Sequence, residues 1–275
     1  MLRARVLTAL VLLAVLLPAI FVFPPVVWGA LTLGFLAVAA WEWGRLLPGA
    51  SNGRALGASA TVLVLGALAL AWRANGAWPT GSLAAVCAVL SLFWAIAGPR
   101  RLRHHDASGG GVWLAGALLL GCWLALFELR LLGALPLLSS MAVIWVADIA
   151  AYFAGRRFGR RKLAPAISPG KSWEGALGGF VAVAFCGLAV ASVPALQGAL
   201  PGVLVDSVGM LATVPLLLGI AALSIVGDLH ESLLKRSAGV KDSGSILPGH
   251  GGVLDRIDAL IPTMPLALLL YLLLR

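Results

Sequence analysis

The sequence predicts an all-α polytopic membrane protein with about nine transmembrane helices. Of its 275 residues, 61% are hydrophobic and only 11% are charged, whereas about a quarter of the residues in a soluble domain are charged. The apolar residues fall into nine runs, each close to the roughly 20 residues that a helix needs to cross a bilayer. Helices are the expected form because unpaired backbone groups are costly in lipid and the runs are too long for barrel strands.

Glycine, proline and asparagine separate the apolar runs, which is typical of turns between helices. The first run follows two arginines, as a signal peptide would. No small-residue cleavage site follows that run, so we interpret it as a retained span. Helices 1 to 5 form an N-terminal region, residues 1–130, and helices 6 to 9 with their loops form a C-terminal region, residues 131–275. The predicted spans cover approximately residues 6–23, 26–43, 55–72, 80–97, 111–128, 132–154, 175–193, 208–227 and 254–274.

The basic residues predict the orientation of the chain, because cytoplasmic loops of membrane proteins are enriched in Lys and Arg. With a cytoplasmic N-terminus, all of the 20 basic residues except Arg73, Arg130 and Arg275 fall on the cytoplasmic side. This arrangement predicts a periplasmic C-terminus. The same rule, with attraction to anionic lipid headgroups, accounts for the net charge of +9.

The acidic residues are concentrated on the same side, which the rule for basic residues does not require. A carboxylate inside a span costs about 3 kcal/mol on insertion scales and by default marks a functional site. Asp148 is the clearest case, since it lies about six residues, or about 9 Å, from the cytoplasmic end of the sixth span. Nine of the 11 acidic residues map to this side: Glu42, Asp106, Asp148, Glu174, Asp228, Glu231, Asp242, Asp255 and Asp258.

A second group of polar residues lies at the ends of the eighth and ninth spans. Helical spacing places Asp228, Ser232 and Lys235 on one stripe of the eighth span, and Asp255 and Asp258 share a face at the start of the ninth. A glycine-rich loop joins the two helix ends and is able to fold back between them. Clustered carboxylates suit Mg²⁺, and glycines let backbone N–H groups approach a phosphate closely.

Basic residues complete this segment: Lys235, Arg236, Lys241 and Arg256. They are suited to neutralise a ligand that carries phosphate. The combination favours phosphoryl or nucleotidyl transfer at the membrane surface. The plainer alternative is a cytoplasmic loop whose charges pair with one another and with lipid headgroups.

The same segment resembles the signature of the phosphatidate cytidylyltransferases, the CDP-diacylglycerol synthases, at every defined position. Those positions are Ser232, Leu234, Lys235, Arg236, Lys241, Asp242, Gly244, Leu247, Pro248, His250, Gly251, Gly252, Val253, Asp255, Arg256, Ile257 and Asp258. Residues 145–155 and 168–175 also resemble this family. The sequence departs from the family pattern at two positions. The family often has Lys or Asn at the position of Gly170, and it has various residues at the position of His230.

The resemblance implies an enzyme that joins CTP to phosphatidic acid and releases CDP-diacylglycerol and pyrophosphate. It also implies a homodimer. The predicted orientation turns the active site toward the cytoplasm, and the expected location is a bacterial inner membrane, with membrane lipids as partners of this multi-pass protein. Mg²⁺ is the expected cofactor, and a second cation is left open. A nucleic acid is not expected as a partner.

The predicted site residues fall into three groups. The catalytic group is Asp228, Lys235, Arg236, Lys241, Asp255 and Asp258. The substrate-binding group is Asp148, Ser168, Lys171, Ser172, Ser232, Asp242, His250, Gly251, Gly252 and Arg256. The metal ligands are Asp228, Asp255 and Asp258.

Two other functions remain open from the sequence. A lipid transporter would also have many spans, but it predicts charges near the bilayer midplane and an internal repeat, whereas these charges gather at one face and the halves show no repeat. A cytidylyltransferase or kinase for another lipid phosphate or lipid alcohol is also compatible. The residues that would contact the lipid tail lie in helices of Ala, Leu and Gly, which do not distinguish these substrates.

Overall fold

The computed structural model describes residues 2–49, 51–108 and 110–275, with side chains described from Arg5 onward. The chain is predominantly helical, which confirms the predicted all-α polytopic class. The helices are α1 Leu2–Phe21, α2 Pro25–Leu46, α3 Asn52–Asn75, α4 Thr80–His104, α5 Gly111–Leu132, α6 Ala134–Phe158, α7 Trp173–Ala191, α8 Leu200–Ser237, α9 Leu254–Ile257 and α10 Leu260–Leu274.

Eight helical segments in the described part of the chain are long and apolar enough to cross a membrane. They are α2 to α8 and the continuous segment Leu254–Leu274 that α9 and α10 form together. The first predicted span is also helical, since it overlaps α1, Leu2–Phe21. Each of the nine predicted spans therefore overlaps a helix in the described part of the chain.

Helix α8 is longer than the span predicted within it. It starts at Leu200, and its backbone is non-helical at Gly209, where φ is 80° and ψ is 166°. Glycine adopts a positive φ without the steric cost of a side chain, so the bend falls there. Beyond the bend the helix continues to Ser237. This part of α8 carries both Asp228 and Lys235, so the two residues lie on one rigid element.

A short β-hairpin between α6 and α7 was not predicted. Strand β1, Lys162–Ala164, pairs antiparallel with β2, Ser168–Ser172. The Glu174 carboxylate fastens the hairpin to α7, since it accepts hydrogen bonds from the backbone N–H groups of Arg160 at 3.0 Å and Arg161 at 3.2 Å. The Ser172 side chain caps α7 by accepting from Gly175 N at 3.2 Å.

Small residues let α6 and α7 pack with their backbones close together. A Cβ at Gly175 would lie 2.8 Å from Ala151 O, and one at Gly179 would lie 2.8 Å from Ala147 O. Such contacts between small residues are typical of helix packing in membranes. They place the hairpin next to the stretch of α6 that carries Asp148.

The buried core joins the N-terminal and C-terminal regions. Helix α10 packs against α4 and α5 of the N-terminal region as well as against α8. Within the N-terminal region, two buried indoles tie α2 to α5. Trp28 Nε1 donates to Leu126 O at 3.0 Å, and Trp123 Nε1 donates to Gly29 O at 2.8 Å. The C-terminal helices therefore rest on a hydrogen-bonded N-terminal scaffold.

Candidate active site

A cavity of about 490 Å³ lies between α6, α7, α8 and the hairpin. Asp148 enters it from α6, Lys171 from β2 and Asp228 from α8. The Lys171 Nζ and Asp228 Oδ2 atoms form an ion pair at 2.8 Å. Ser168 and Ser172 line the same cavity. The structure thus brings together five of the predicted site residues, from three separate stretches of sequence.

Asp255 is the centre of a second polar cluster, at the start of α9. Its Oδ1 atom accepts from Lys235 Nζ at 2.6 Å. Its Oδ2 atom accepts from Ser243 N at 2.9 Å, Ser243 Oγ at 3.0 Å and Gly252 N at 2.8 Å. Lys235 also forms an ion pair with Glu231, one helical turn earlier on α8. Lys235, Glu231 and Asp255 therefore form a buried network that joins α8 to the glycine-rich loop.

The two clusters meet where α8 approaches the junction of α9 and α10. A Cβ at Gly227 would lie 2.7 Å from Pro262 Cγ, so only glycine allows so close an approach there. Asp258 lies at this junction, and its Oδ1 atom accepts from Ala259 N at 2.8 Å. Both Asp258 and Asp148 lie close enough to Asp228 to interact with it electrostatically.

The carboxylates match the oxygen ligands that Mg²⁺ prefers, but in this structure their partners are protein groups. In the described residues, no three His, Cys, Asp or Glu side chains are arranged to hold a metal ion. Asp228 is paired with Lys171, and both oxygens of Asp255 already accept hydrogen bonds. Asp228 and Asp258 are like charges near each other, an arrangement that a divalent cation would stabilise. The predicted metal roles stay a prediction.

The remaining predicted residues lie around these two clusters. Ser232 Oγ donates to Asp228 Oδ1 at 3.4 Å, and Arg256 Nε donates to His250 O at 3.0 Å. Gly251 has a φ of 82° and faces Leu247 in a bridge that closes the loop. Three basic residues and one acidic residue are exposed at the edge of the loop: Arg236, Lys241, Arg256 and Asp242. Their predicted roles toward substrate stay predictions.

Three polar residues of these clusters were not among the predicted site residues. Glu231 forms part of the buried network, and its spacing of four residues from Lys235 was a signal for that pair. Ser243 donates to Asp255 from within the signature segment. Glu42, on α2, accepts hydrogen bonds from the same loop. No local pattern connects Glu42 with a loop about 200 residues further along the chain.

Known proteins match the chain over almost its full length. Residues 3–274 match the sequence model of the Cytidylyltransferase family. A phosphatidate cytidylyltransferase of Pseudomonas aeruginosa is 39% identical over 278 residues, which cover 96% of this chain and 95% of the relative. The corresponding protein of Haemophilus influenzae is 34% identical over 291 residues, with 96% of each chain covered. One from Brucella suis is 44% identical over 190 residues, 67% of this chain and 65% of the relative.

These matches confirm the family that the signature in residues 232–258 indicated. They extend the likeness from the C-terminal half to the first five helices, which only hydropathy and the Trp41-Glu42-Trp43 ending of the second span had related to the family. The chain belongs to the cytidylyltransferase family.

Proposed function

We propose that this protein converts CTP and phosphatidate into CDP-diacylglycerol and pyrophosphate. One observation carries the proposal: Asp148, Lys171 and Asp228 share a cavity among membrane-spanning helices, next to the loop that carries the family signature. A membrane-embedded phosphate site of this kind suits a reaction between a lipid phosphate and a nucleotide. The relatives that bear the name phosphatidate cytidylyltransferase support the same reaction.

In this reaction a phosphate oxygen of phosphatidate attacks the α-phosphorus of CTP. A new P–O bond forms, the bond to the β-phosphate oxygen breaks, and pyrophosphate leaves with the electron pair of that bond. Both substrates are polyanions, so catalysis depends on positioning and on charge neutralisation. The nucleophile needs no general base, because a phosphate monoester has a second pKa of about 6 and is already ionised near neutral pH.

The lysines of the two clusters are suited to this neutralisation. Lys171 lies in the cavity beside Ser168 and Ser172, and we assign a phosphate to these three residues. Lys235 lies about two helical turns beyond Asp228 on α8, within the Asp255 network. We assign Lys235 to holding the loop under the triphosphate, with the exposed Arg236 and Lys241 drawing the nucleotide toward it.

Asp228 and Asp258 would hold Mg²⁺, with Asp148 in support. The cation, when bound, neutralises charge on the phosphates. Asp255 was predicted as a third ligand, and it would have to exchange Lys235 for the cation to act as one. A second cation also stays a prediction. Asp258→Asn is expected to abolish turnover, and added Mg²⁺ is not expected to restore it.

We propose that the site faces the cytoplasm in a bacterial inner membrane, where CTP is available. The distribution of Lys and Arg supports this orientation, and the bacterial relatives support the location. The acyl chains of the lipid stay in the bilayer and enter between helices. The homodimer implied by the resemblance belongs to the same proposal. A reporter fused after Arg275 is expected to read as periplasmic, and a cytoplasmic reading would contradict the orientation.

The reaction is tested with purified protein, labelled CTP and a panel of lipid phosphates and lipid alcohols. Pyrophosphate release that requires both phosphatidate and Mg²⁺ is the expected result. Release that prefers an isoprenoid phosphate, or phosphorylation of a lipid alcohol, would assign the site to another lipid substrate. A protein that only moves lipid between leaflets would release no pyrophosphate.

A further inference from the structure

Glu42 is a fully buried carboxylate that contacts the signature loop from the N-terminal region. It lies near the end of α2 with 0% exposure. Its Oε1 atom accepts from Val253 N at 3.2 Å, and its Oε2 atom accepts from Leu254 N at 2.7 Å and from Ser243 Oγ at 3.2 Å. A buried carboxylate is very costly unless it is hydrogen-bonded. These loop groups therefore hold Glu42, and Glu42 holds the loop.

The loop is shaped to receive this carboxylate. A Cβ at Gly252 would lie 2.5 Å and 2.6 Å from the two Glu42 oxygens, and one at Gly244 would lie 3.0 Å from Glu42 Cδ. Real Cβ atoms do not approach other atoms this closely without some shift of structure. Two glycines of the signature segment thus provide the space that Glu42 occupies.

Ser243 links Glu42 directly to Asp255. Its Oγ atom lies 3.2 Å from Glu42 Oε2 and 3.0 Å from Asp255 Oδ2. Because a hydroxyl has one hydrogen to donate, it serves one carboxylate at a time, while Ser243 N donates to Asp255 at 2.9 Å in either case. Asp255 in turn holds Lys235 at 2.6 Å. A displacement of Glu42 is therefore transmitted through one residue to the Asp255 network.

Helix α1 supports the loop at a second point. Arg5 Nε donates to Gly249 O at 3.0 Å, and Thr8 Oγ1 donates to Pro248 O at 3.0 Å. These contacts are exposed, whereas those of Glu42 are buried. Glu42 is thus the interior attachment of the loop to the N-terminal helices.

We propose that Glu42 is a positioning residue for the transfer reaction, which rests on the proposed function. It fixes loop 243–254 so that Asp255 and Lys235 keep their places relative to α8. Glu42 does not line the cavity that contains Asp148 and Lys171, so it acts through the loop. The N-terminal helices then contribute to catalysis by holding this loop.

The test compares Glu42→Gln with Glu128→Gln in the full-length protein. Glu128 is a matched control, because it is also a buried acid of the N-terminal region but pairs with Arg73 at 3.0 Å instead of with the loop. Glu42→Gln replaces one carboxylate oxygen with an NH₂ group, which cannot accept a hydrogen bond from the backbone N–H that it faces, and this displaces the loop. A misplacement of about 1 Å can lower kcat roughly 100-fold, so we expect a loss of about 10- to 100-fold with the control near wild type.

Two further readouts separate positioning from general destabilisation. Hydrogen exchange of the 243–254 amides is expected to speed up in Glu42→Gln while exchange elsewhere is unchanged. The effects of Glu42→Gln and Ser243→Ala on kcat are expected to be less than additive, because the two residues contact each other and act on one loop. Wild-type kcat in Glu42→Gln, or a loss that follows the amount of folded protein, would overturn the proposal.

The remaining outcomes also decide the question. If Glu42→Gln does not fold, Glu42→Asp keeps the charge but withdraws it by one methylene, and wild-type kcat in that variant would count against positioning. If the wild-type protein does not transfer cytidylyl groups, the proposed function fails. In that case unchanged exchange of the loop amides in Glu42→Gln would still disprove the attachment.

Discussion

Replacing Lys235 with Met is expected to destabilise the protein strongly, because two buried acids depend on this ammonium. The side chains of Lys235, Glu231 and Asp255 are only 13%, 4% and 6% exposed. Methionine keeps most of the aliphatic stem of Lys, so packing changes little while the charge is lost. Removal of one partner from a buried ion pair costs about 3–5 kcal/mol, since it leaves an uncompensated charge.

The two acids do not lose the same share of their stabilising contacts in Lys235→Met. Asp255 keeps its hydrogen bonds from Ser243 and Gly252, whereas Glu231 loses Lys235, its ion-pair partner. We therefore assign most of the loss to Glu231. Adding Glu231→Gln to Lys235→Met is expected to restore about 1 kcal/mol or more, because it removes the stranded charge.

The control for this prediction is Arg73→Met. Arg73 is 26% exposed and pairs with a single acid, Glu128, which is 12% exposed. More exposed pairs contribute about 0–1 kcal/mol, so this variant is expected to lose less than about 2 kcal/mol. The free energy of unfolding is measured by denaturant titration in detergent micelles, from the midpoint and slope. An equal loss in Lys235→Met and Arg73→Met, or no recovery with Glu231→Gln, would refute the reasoning.

Three further changes have distinct expected results. Asp255→Asn is expected to abolish turnover in a protein that is still folded in the membrane, as measured by pyrophosphate release and by elution as a single species; near-normal activity would remove the role of this carboxylate. Lys171→Met is expected to raise KM for a phosphate substrate about 10-fold or more, whereas the exposed Lys162→Met leaves KM unchanged; equal KM values in the two variants would exclude Lys171 from binding. Gly252→Ala is expected to cost about 1–3 kcal/mol by overpacking, whereas Gly170→Ala, where a Cβ meets nothing within 4 Å, is neutral in the same unfolding assay.

The helices and the family could be predicted from sequence because their signals are local. A span is recorded in one continuous apolar run, and the signature in one segment of 27 residues, 232–258. The network of Lys235 and Asp255 was also accessible, since the two helix ends that carry them are joined by a short loop.

Other parts of the site depend on contacts that no local pattern records. The hairpin was missed because its strands have three and five residues, too short to show alternation, and because the Glu174 contacts that hold it link positions 13 and 14 residues apart. Lys171 was predicted to bind phosphate, but its pairing with Asp228 follows from the hairpin. The role of Glu42 was missed because its partners lie 201 to 212 residues away.

Helix α8 connects the two polar clusters in a way that constrains the reaction. Asp228 and Lys235 are seven residues apart on one uninterrupted helix, which corresponds to about 10 Å along its axis. The cavity residue Lys171 is bound to the first of them, and the loop residue Asp255 to the second. Because the helix does not stretch, the spacing of the clusters is set by α8 and their orientation by the hairpin and the loop. In the proposed reaction, substrate alignment then depends on two attachments, Glu174 for the hairpin and Glu42 for the loop, and neither needs to contact a substrate.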